Sequence, residues 1–265
     1  LDQLKDGMRR AQDHDFKLWL ENDRTDEIGA LTDSFNCMLD RINTLVNQVY
    51  QQELAQKNAE IEALQAQINP HFLYNTLDSV NWMLIARGEM DISAVVVALG
   101  KLMQYSMDTA RAMVSLEEEY RNVRDYLMIQ KNRLEDRLEF TLELDEPLKC
   151  FPVPKLILQP LVENAIKYGI EPSLQPGHIL VRTRKTDDDI QILVKDNGCG
   201  MDEAQLTFYR RLLRNDPSGQ TNIGVRNVAR RLQLHFGGRC GFDVSSRPGD
   251  GLSITIRIPA QEEQP

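Results

Sequence analysis

Leu138-Glu139-Phe140-Thr141-Leu142-Glu143-Leu144 is where the chain changes character. Apolar and polar residues alternate strictly across it, the period of a half-buried strand. The same alternation returns at His178–Thr183, Ile190–Val194, Phe242–Ser245 and Leu252–Ile258. Helical patterns fill the intervals at 154–169, 202–214 and 223–236. Antiparallel strands with helices gathered on one face predict an α/β sandwich over residues 136–265. Upstream of Arg133 every periodic segment is helical, so the chain as a whole reads as α+β.

The upstream helices divide in two. Residues 1–50 read as helix, connector, helix, with Asp13, Asp15, Asn22, Asp23, Thr25 and Asp26 supplying cap and turn chemistry between them. The second helix spaces Leu31, Phe35, Met38, Ile42, Leu45 and Val49 as a narrow coiled-coil seam, which needs a partner helix. The next apolar set, Leu54, Ile61, Leu64 and Ile68, is out of phase with the first, a slip that changes supercoil winding locally. Pro70 then interrupts the helix, and a kink is expected directly before His71. Residues 71–86 continue as an apolar helix, 86–91 form a turn, and Ser93 is expected to cap a helix reaching Ala110. Two such hairpins, one from each chain of a homodimer, would bury their apolar faces as a four-helix bundle. Ser115-Leu116-Glu117-Glu118 has the pattern of a capping box and opens a third helix. The reading is a linker over 1–50, coiled coil and dimerisation helices over 51–135, and the sandwich over 136–265.

Among the 265 residues 42% are hydrophobic and 27% charged, an ordinary globular balance. The net charge of -9 argues against a nucleic-acid partner. Cys37, Cys150, Cys199 and Cys240 lie far apart with no paired spacing, which reads as reduced cytosolic thiols with no disulfide frame or zinc site. No apolar run approaches the roughly 18 residues that span a bilayer. The chain begins at Leu1 in a helical pattern, so a fragment is expected, with membrane and sensing segments upstream.

Four short motifs carry the chemistry. In Leu158–Gly169, the apolar positions Leu158, Leu161, Val162, Ala165 and Ile166 form a buried face and turn Glu163, Asn164 and Lys167 to one side. An Asn oxygen suits Mg²⁺, which prefers hard oxygen ligands, and Lys167 can meet phosphate charge. Asp196-Asn197-Gly198-Cys199-Gly200-Met201 follows a strand and sets a carboxylate where glycines allow close approach. Asn222-Ile223-Gly224-Val225-Arg226-Asn227 opens a helix, whose free amides favour phosphate. Gly249-Asp250-Gly251 tightens the turn into the last strand. Each motif is weak alone; their order over a hundred residues is specific.

Together with Asn69-Pro70-His71-Phe72-Leu73-Tyr74-Asn75, these motifs make residues 54–260 resemble the LytS/YesM-like sensor histidine kinases, while Asp26-Glu27-Ile28-Gly29 between helices resembles a HAMP linker. The resemblance implies that His71 is the phosphorylated residue and that the sandwich is a Bergerat-type ATP-binding domain. It implies that Asn164 holds Mg²⁺ and that Asp196 accepts a hydrogen bond from the adenine amino group. Glu163 and Lys167 belong to its N box, and Gly198, Gly200, Gly224, Val225 and Asn227 to its glycine boxes. The sequence departs from the family pattern at Asn222, where a glycine is usual, at Tyr168-Gly169, where histidine-glycine is common, and at Phe72, where other histidine kinases carry an acid.

The implied reaction is in-line phosphoryl transfer from Mg²⁺-ATP to a ring nitrogen of His71, then to an aspartate on the receiver domain of a response regulator. Asn75 lies one turn after His71, as a residue positioning water for the reverse phosphatase reaction or as a surface polar group. Signals are expected to arrive through the coiled coil as a rotation or register change at Pro70. His14, His178 and His235 read as structural. The alternatives are another Bergerat-type ATPase, which has no use for His71, and a dimeric scaffold that binds ATP without transfer. The chain reads as the cytoplasmic portion of a plasma-membrane sensor.

Overall fold

A computed structural model describes residues 2–12, 18–21, 26–66, 70–108, 111–186, 188–213 and 223–260. It divides into two compact units, Leu1–Asn69 and Pro70–Pro265.

The first unit holds helices α1 (Asp2–Gln12) and α2 (Glu27–Ala66). Asp26 starts α2 by accepting the Gly29 N–H on its side chain at 3.1 Å. The expected seam divides: Phe35 is buried beside Leu39, and Leu18 and Leu20 pack on them, whereas Leu31, Met38, Leu45 and Val49 stay exposed. Asn36 holds the 18–20 segment by both faces of its amide, accepting from Leu20 N at 3.0 Å and donating to Leu20 O at 2.8 Å. Backbone donor and acceptor are thereby both satisfied in a stretch with no regular partner. The backbone of α2 runs unbroken through the expected phase slip; the side chains of Leu54, Ile61 and Leu64 lie outside the described residues. So do 13–17, 22–25 and 67–69, which carry most of the connector and the residues just before Pro70.

The second unit opens with α3 (Pro70–Ala86) and α4 (Met90–Met107), an antiparallel hairpin. Pro70 takes the first position of α3, where a missing N–H has no cost and the fixed φ suits the helix. The expected cap at Ser93 is corrected: α4 already begins at Met90, and Ser93 lies inside it. Ser93 is buried and donates its hydroxyl to Asn81 Oδ1 at 2.6 Å, tying α4 to α3. Strand β1 (Met113–Ser115) leads into α5 (Leu116–Leu134). The capping box forms as the sequence predicts: Ser115 Oγ accepts from Glu118 N at 3.2 Å, and Glu118 Oε2 accepts from Ser115 N at 3.1 Å.

The sheet follows: β2 (Leu138–Leu144), β3 (Pro152–Pro154), β4 (Gly177–Lys185), β5 (Asp189–Asp196), β6 (Gly241–Ser246) and β7 (Leu252–Pro259). Strand β3 pairs with β1 in a small separate ladder. The main sheet has five strands in the order β2-β4-β5-β7-β6. Its β2–β4 pair is parallel, with Phe140 opposite Ile179, so the expected all-antiparallel sheet is in fact mixed. A parallel pair needs a long crossover, and residues 145–176 supply it. That crossover contains β3 and helix α6 (Gln159–Asn164), so the helix expected over 154–169 begins five residues later, at Gln159. Helices α7 (Glu203–Leu213) and α8 (Ile223–Phe236) complete the layer. Ile179, Val181, Ile190, Ile192, Ile254 and Ile256 are buried from neighbouring strands, against Leu161, Val162, Val225 and Leu232 from the helices. Tyr120 of α5 donates its hydroxyl to Glu143 O at 2.9 Å and lies 2.8 Å from Thr183 Oγ1, clamping α5 to the parallel pair.

Candidate functional site

Helix α6 is short, and Ala165–Ile170 continue it in a wide π turn, a local widening that recurs at functional sites. Leu161, Val162, Ala165, Ile166 and Ile170 are buried, Asn164 is half-buried, and Glu163, Lys167 and Tyr168 are exposed. The widened turn brings Asn164, Tyr168 and Gly169 to one cavity. Across it stands Asp196 at the end of β5, only 3% exposed. Its Oδ1 accepts from Gly198 N at 2.9 Å and Leu252 N at 3.3 Å. Burial raises the Asp196 pKa above the ordinary carboxylate range, opposed by those two donors.

The glycines act by closeness. A Cβ on Gly198 would stand 2.3 Å from Gly169 O, and one on Gly169 would stand 2.7 Å from Asp196 Oδ1. Strand end and π turn therefore approach at a distance only glycine permits. Gly200 combines a φ of +68° with a site where a Cβ would meet Arg247 O at 1.9 Å. Apolar walls come from Met201, Phe208, Tyr209 and Leu252. The cavity measures about 280 Å³. That is the lower end for small-molecule sites, and it suits a flat heterocycle with a buried acceptor at its floor.

The structure thus brings Asn164, Asp196 and Gly200 around one cavity, with Gly198 shaping it from behind. Lys167 lies outside the lining, its Nζ 5.1 Å from the centre of the Tyr168 ring. Glu163 Oε1 accepts from Gln159 Nε2 at 2.7 Å. Gly224 packs the start of α8 near Pro160, Val225 is fully buried in the core, and Asn227 is exposed on α8; none of the three lines the cavity. Asn222 lies outside the described residues. Phe208 and Tyr209 were missed by sequence reasoning, although an aromatic pair on the helix after the Asp-Gly motif was visible, and Met201 was read only as the end of that motif. Among the described residues no group of three His, Cys, Asp or Glu side chains could hold a metal alone. One amide oxygen is nonetheless a sufficient protein ligand for Mg²⁺ carried in with phosphate oxygens and water.

His71 is exposed in the first turn of α3 and does not line the cavity. Asn75, one turn on, sets its Nδ2 3.3 Å from His71 Nδ1 and 3.5 Å from Nε2. The amide is therefore against the imidazole, where it can fix ring orientation.

Comparison with known proteins finds a family match for each of three segments. Residues 1–44 match the HAMP domain, 59–138 the histidine kinase domain, and 153–262 the histidine kinase-, DNA gyrase B- and HSP90-like ATPase. The chain is 39% identical to the sensor histidine kinase YesM of Bacillus subtilis over 99% of its own length and 45% of the relative's. The chain thus carries a HAMP, a histidine kinase and an ATPase domain, in that order. An uncharacterized sensor-like histidine kinase of Staphylococcus epidermidis is 31% identical over 81% of this chain and 41% of that one. The chain spans less than half the length of these curated relatives. A solved histidine kinase domain from Erythrobacter litoralis overlays 72% of it and 93% of that chain, at 18% identity and a TM-score of 0.43. The ATPase family match makes ATP the nucleotide of the sheet domain.

Proposed function

We propose that this chain is the kinase portion of a two-component sensor that phosphorylates itself on His71 and passes the group to an aspartate of a response-regulator receiver domain. The observation that supports it most is an exposed imidazole, contacted by the Asn75 amide, in the same compact unit as a cavity floored by a buried carboxylate. Domain limits at 1–50, 51–135 and 136–265 follow from this reading.

Asp196 selects the base. Its Oδ1 is engaged by two backbone donors, and its second oxygen keeps acceptor capacity for an exocyclic amino group. Phe208, Tyr209 and Met201 offer apolar faces for the ring and exclude water. Asn164 would hold Mg²⁺ through its amide oxygen, with Lys167 and Glu163 beside it on the exposed face and the Gly224–Asn227 segment toward the phosphates. When bound, Mg²⁺-ATP supplies the phosphoryl group. His71 contributes a ring-nitrogen lone pair; the new nitrogen–phosphorus bond forms as the bond to the bridging oxygen breaks, and ADP leaves. Asn75 orients the ring for that attack and for the reverse reaction with water.

The exposed apolar residues of α3 and α4, including Trp82, Met83 and Met90, support a homodimer in which two hairpins make a four-helix bundle. The HAMP match supports a place on the cytoplasmic side of a membrane sensor. Among the described residues no helix is long and apolar enough to cross a membrane.

Incubation with Mg²⁺ and γ-labelled ATP tests the proposal. Label stable in alkali, lost in acid and absent from His71→Gln is expected. Label that persists in His71→Gln, or nucleotide binding with no label at all, contradicts it.

A further inference from the structure

Glu119 is fully buried in the third position of the acidic run Glu117-Glu118-Glu119. Its neighbours serve the helix surface and the capping box, but Glu119 points into the junction between the hairpin and the sheet domain. Oε1 accepts from Leu156 N at 2.7 Å and also from the Tyr105 hydroxyl; Oε2 accepts from Ile157 N and Leu158 N, both at 2.9 Å. All four groups donate, which is the pattern of an ionised carboxylate with its acceptor sites filled. Burial raises its pKa, and the same four donors oppose that rise.

The two sides of this carboxylate belong to different parts of the machine. Tyr105 sits in the last turns of α4, in the hairpin whose other helix carries His71. Leu156–Leu158 lead directly into α6, whose last residue, Asn164, lines the nucleotide cavity. Convergence of consecutive backbone N–H groups on one anion bends the chain sharply. Leu156 adopts a φ of +60°, a conformation that a branched side chain takes only when its surroundings impose it. The preceding residue repeats the link. Lys155 Nζ lies 4.6 Å over the Tyr105 ring, and Lys155 O accepts from Arg231 of α8 at 2.6 Å. One turn further along α5, buried Asn122 donates to Gln159 Oε1 at 2.7 Å, and Gln159 in turn donates to Glu163.

We propose that Glu119 is a positioning residue for phosphoryl transfer: it fixes the entry to the Asn164 helix, and through Tyr105 it couples that entry to the hairpin bearing His71. Displacement of α4 reaches the nucleotide site through this carboxylate. The proposal rests on the kinase reading above.

The full chain carrying Tyr105→Phe tests it, because the ring stays beneath Lys155 and only the hydroxyl is lost; Glu119→Gln, nearly isosteric, is the second variant. Three quantities are read: amide hydrogen exchange at 156–158, affinity for a fluorescent ATP analogue, and the rate of His71 labelling at saturating ATP. For Tyr105→Phe we expect exchange at 156–158 to rise several-fold and the labelling rate to fall about tenfold, with analogue affinity and Tm unchanged. Exchange and labelling rate both within twofold of the wild type would overturn the proposal. A parallel loss of rate, affinity and Tm would also overturn it, by reducing Glu119 to a packing role. If the wild type labels no histidine, the kinase reading fails by itself. Exchange at 156–158 then decides the coupling: a rise at unchanged Tm supports it, and no rise refutes it.

Discussion

The sheet domain and the helical hairpin belong to one compact unit, yet they treat apolar surface in opposite ways. Strands β4, β5 and β7 put their isoleucines and valines fully out of solvent against α6 and α8. Along α4 only Ser93, Ala98 and Leu102 are buried, while Phe72, Trp82, Met83 and Met90 of the hairpin are more than half exposed, Trp82 by 70%. The sheet domain closes its core within one chain, and what remains open is a cavity. The hairpin does not close. Two amphipathic helices shield only one face each, and in the proposed homodimer a second copy would cover the rest. The difference teaches which properties belong to the single chain, nucleotide binding among them, and which to the assembly.

The largest effect should come from the glycines that let the sheet domain close around Asp196. Gly251 has a φ of +76°, and a Cβ there would lie 2.0 Å from Asp196 O. Gly251→Ala is expected to destabilise the sheet domain by about 3 kcal/mol or more in denaturant unfolding.

Next, Asp196→Asn should lower ATP affinity by up to about a hundredfold, the cost of roughly 1–3 kcal/mol for a buried polar group left without its partner. Stability should move the other way. The folded carboxyl holds its proton more tightly than the unfolded one, because burial raises its pKa. Its contribution is therefore fully present below the unfolded value of about 3.9 and is lost as pH rises through the folded value. Asparagine escapes that loss, so Tm of the variant relative to the wild type should be least favourable at low pH and rise toward pH 7. A variant that loses Tm at pH 7 would show that the charge is stabilising.

Third, Trp82→Ala should weaken dimerisation about tenfold or more in sedimentation, since an exposed aromatic gains its energy only when covered. The unfolding of the sheet domain should not shift. Smallest is Ser115→Ala, which removes one half of the capping box of α5 and should cost about 1 kcal/mol.

Local patterns were legible in the sequence. Alternation located each strand of the main sheet, and the Ser115–Glu118 spacing located the start of α5. What escaped depends on contacts distant in sequence. The parallel β2–β4 pair looks like any other alternating pair until its crossover is seen. Ser93 resembles a cap because it follows a turn, yet the helix begins earlier and its hydroxyl meets Asn81 across the hairpin. Of the site, the Asp-Gly motif and Asn164 were readable only through their order with the other motifs, since Asp and Gly serve many turns. Phe208 and Tyr209 were not, because an aromatic on an amphipathic helix reads as core. Glu119 was hidden in a run of acids, where nothing local distinguishes the one that turns inward.

The most direct test of the central claim follows ADP and phosphohistidine together after mixing with Mg²⁺-ATP, in the wild type and in His71→Gln. The account predicts that both products appear in equal amounts in the wild type and then stop, and that neither appears in His71→Gln. Continued ADP release with free phosphate, unchanged in His71→Gln, would contradict it and make the sheet domain an ATPase with no use for the histidine.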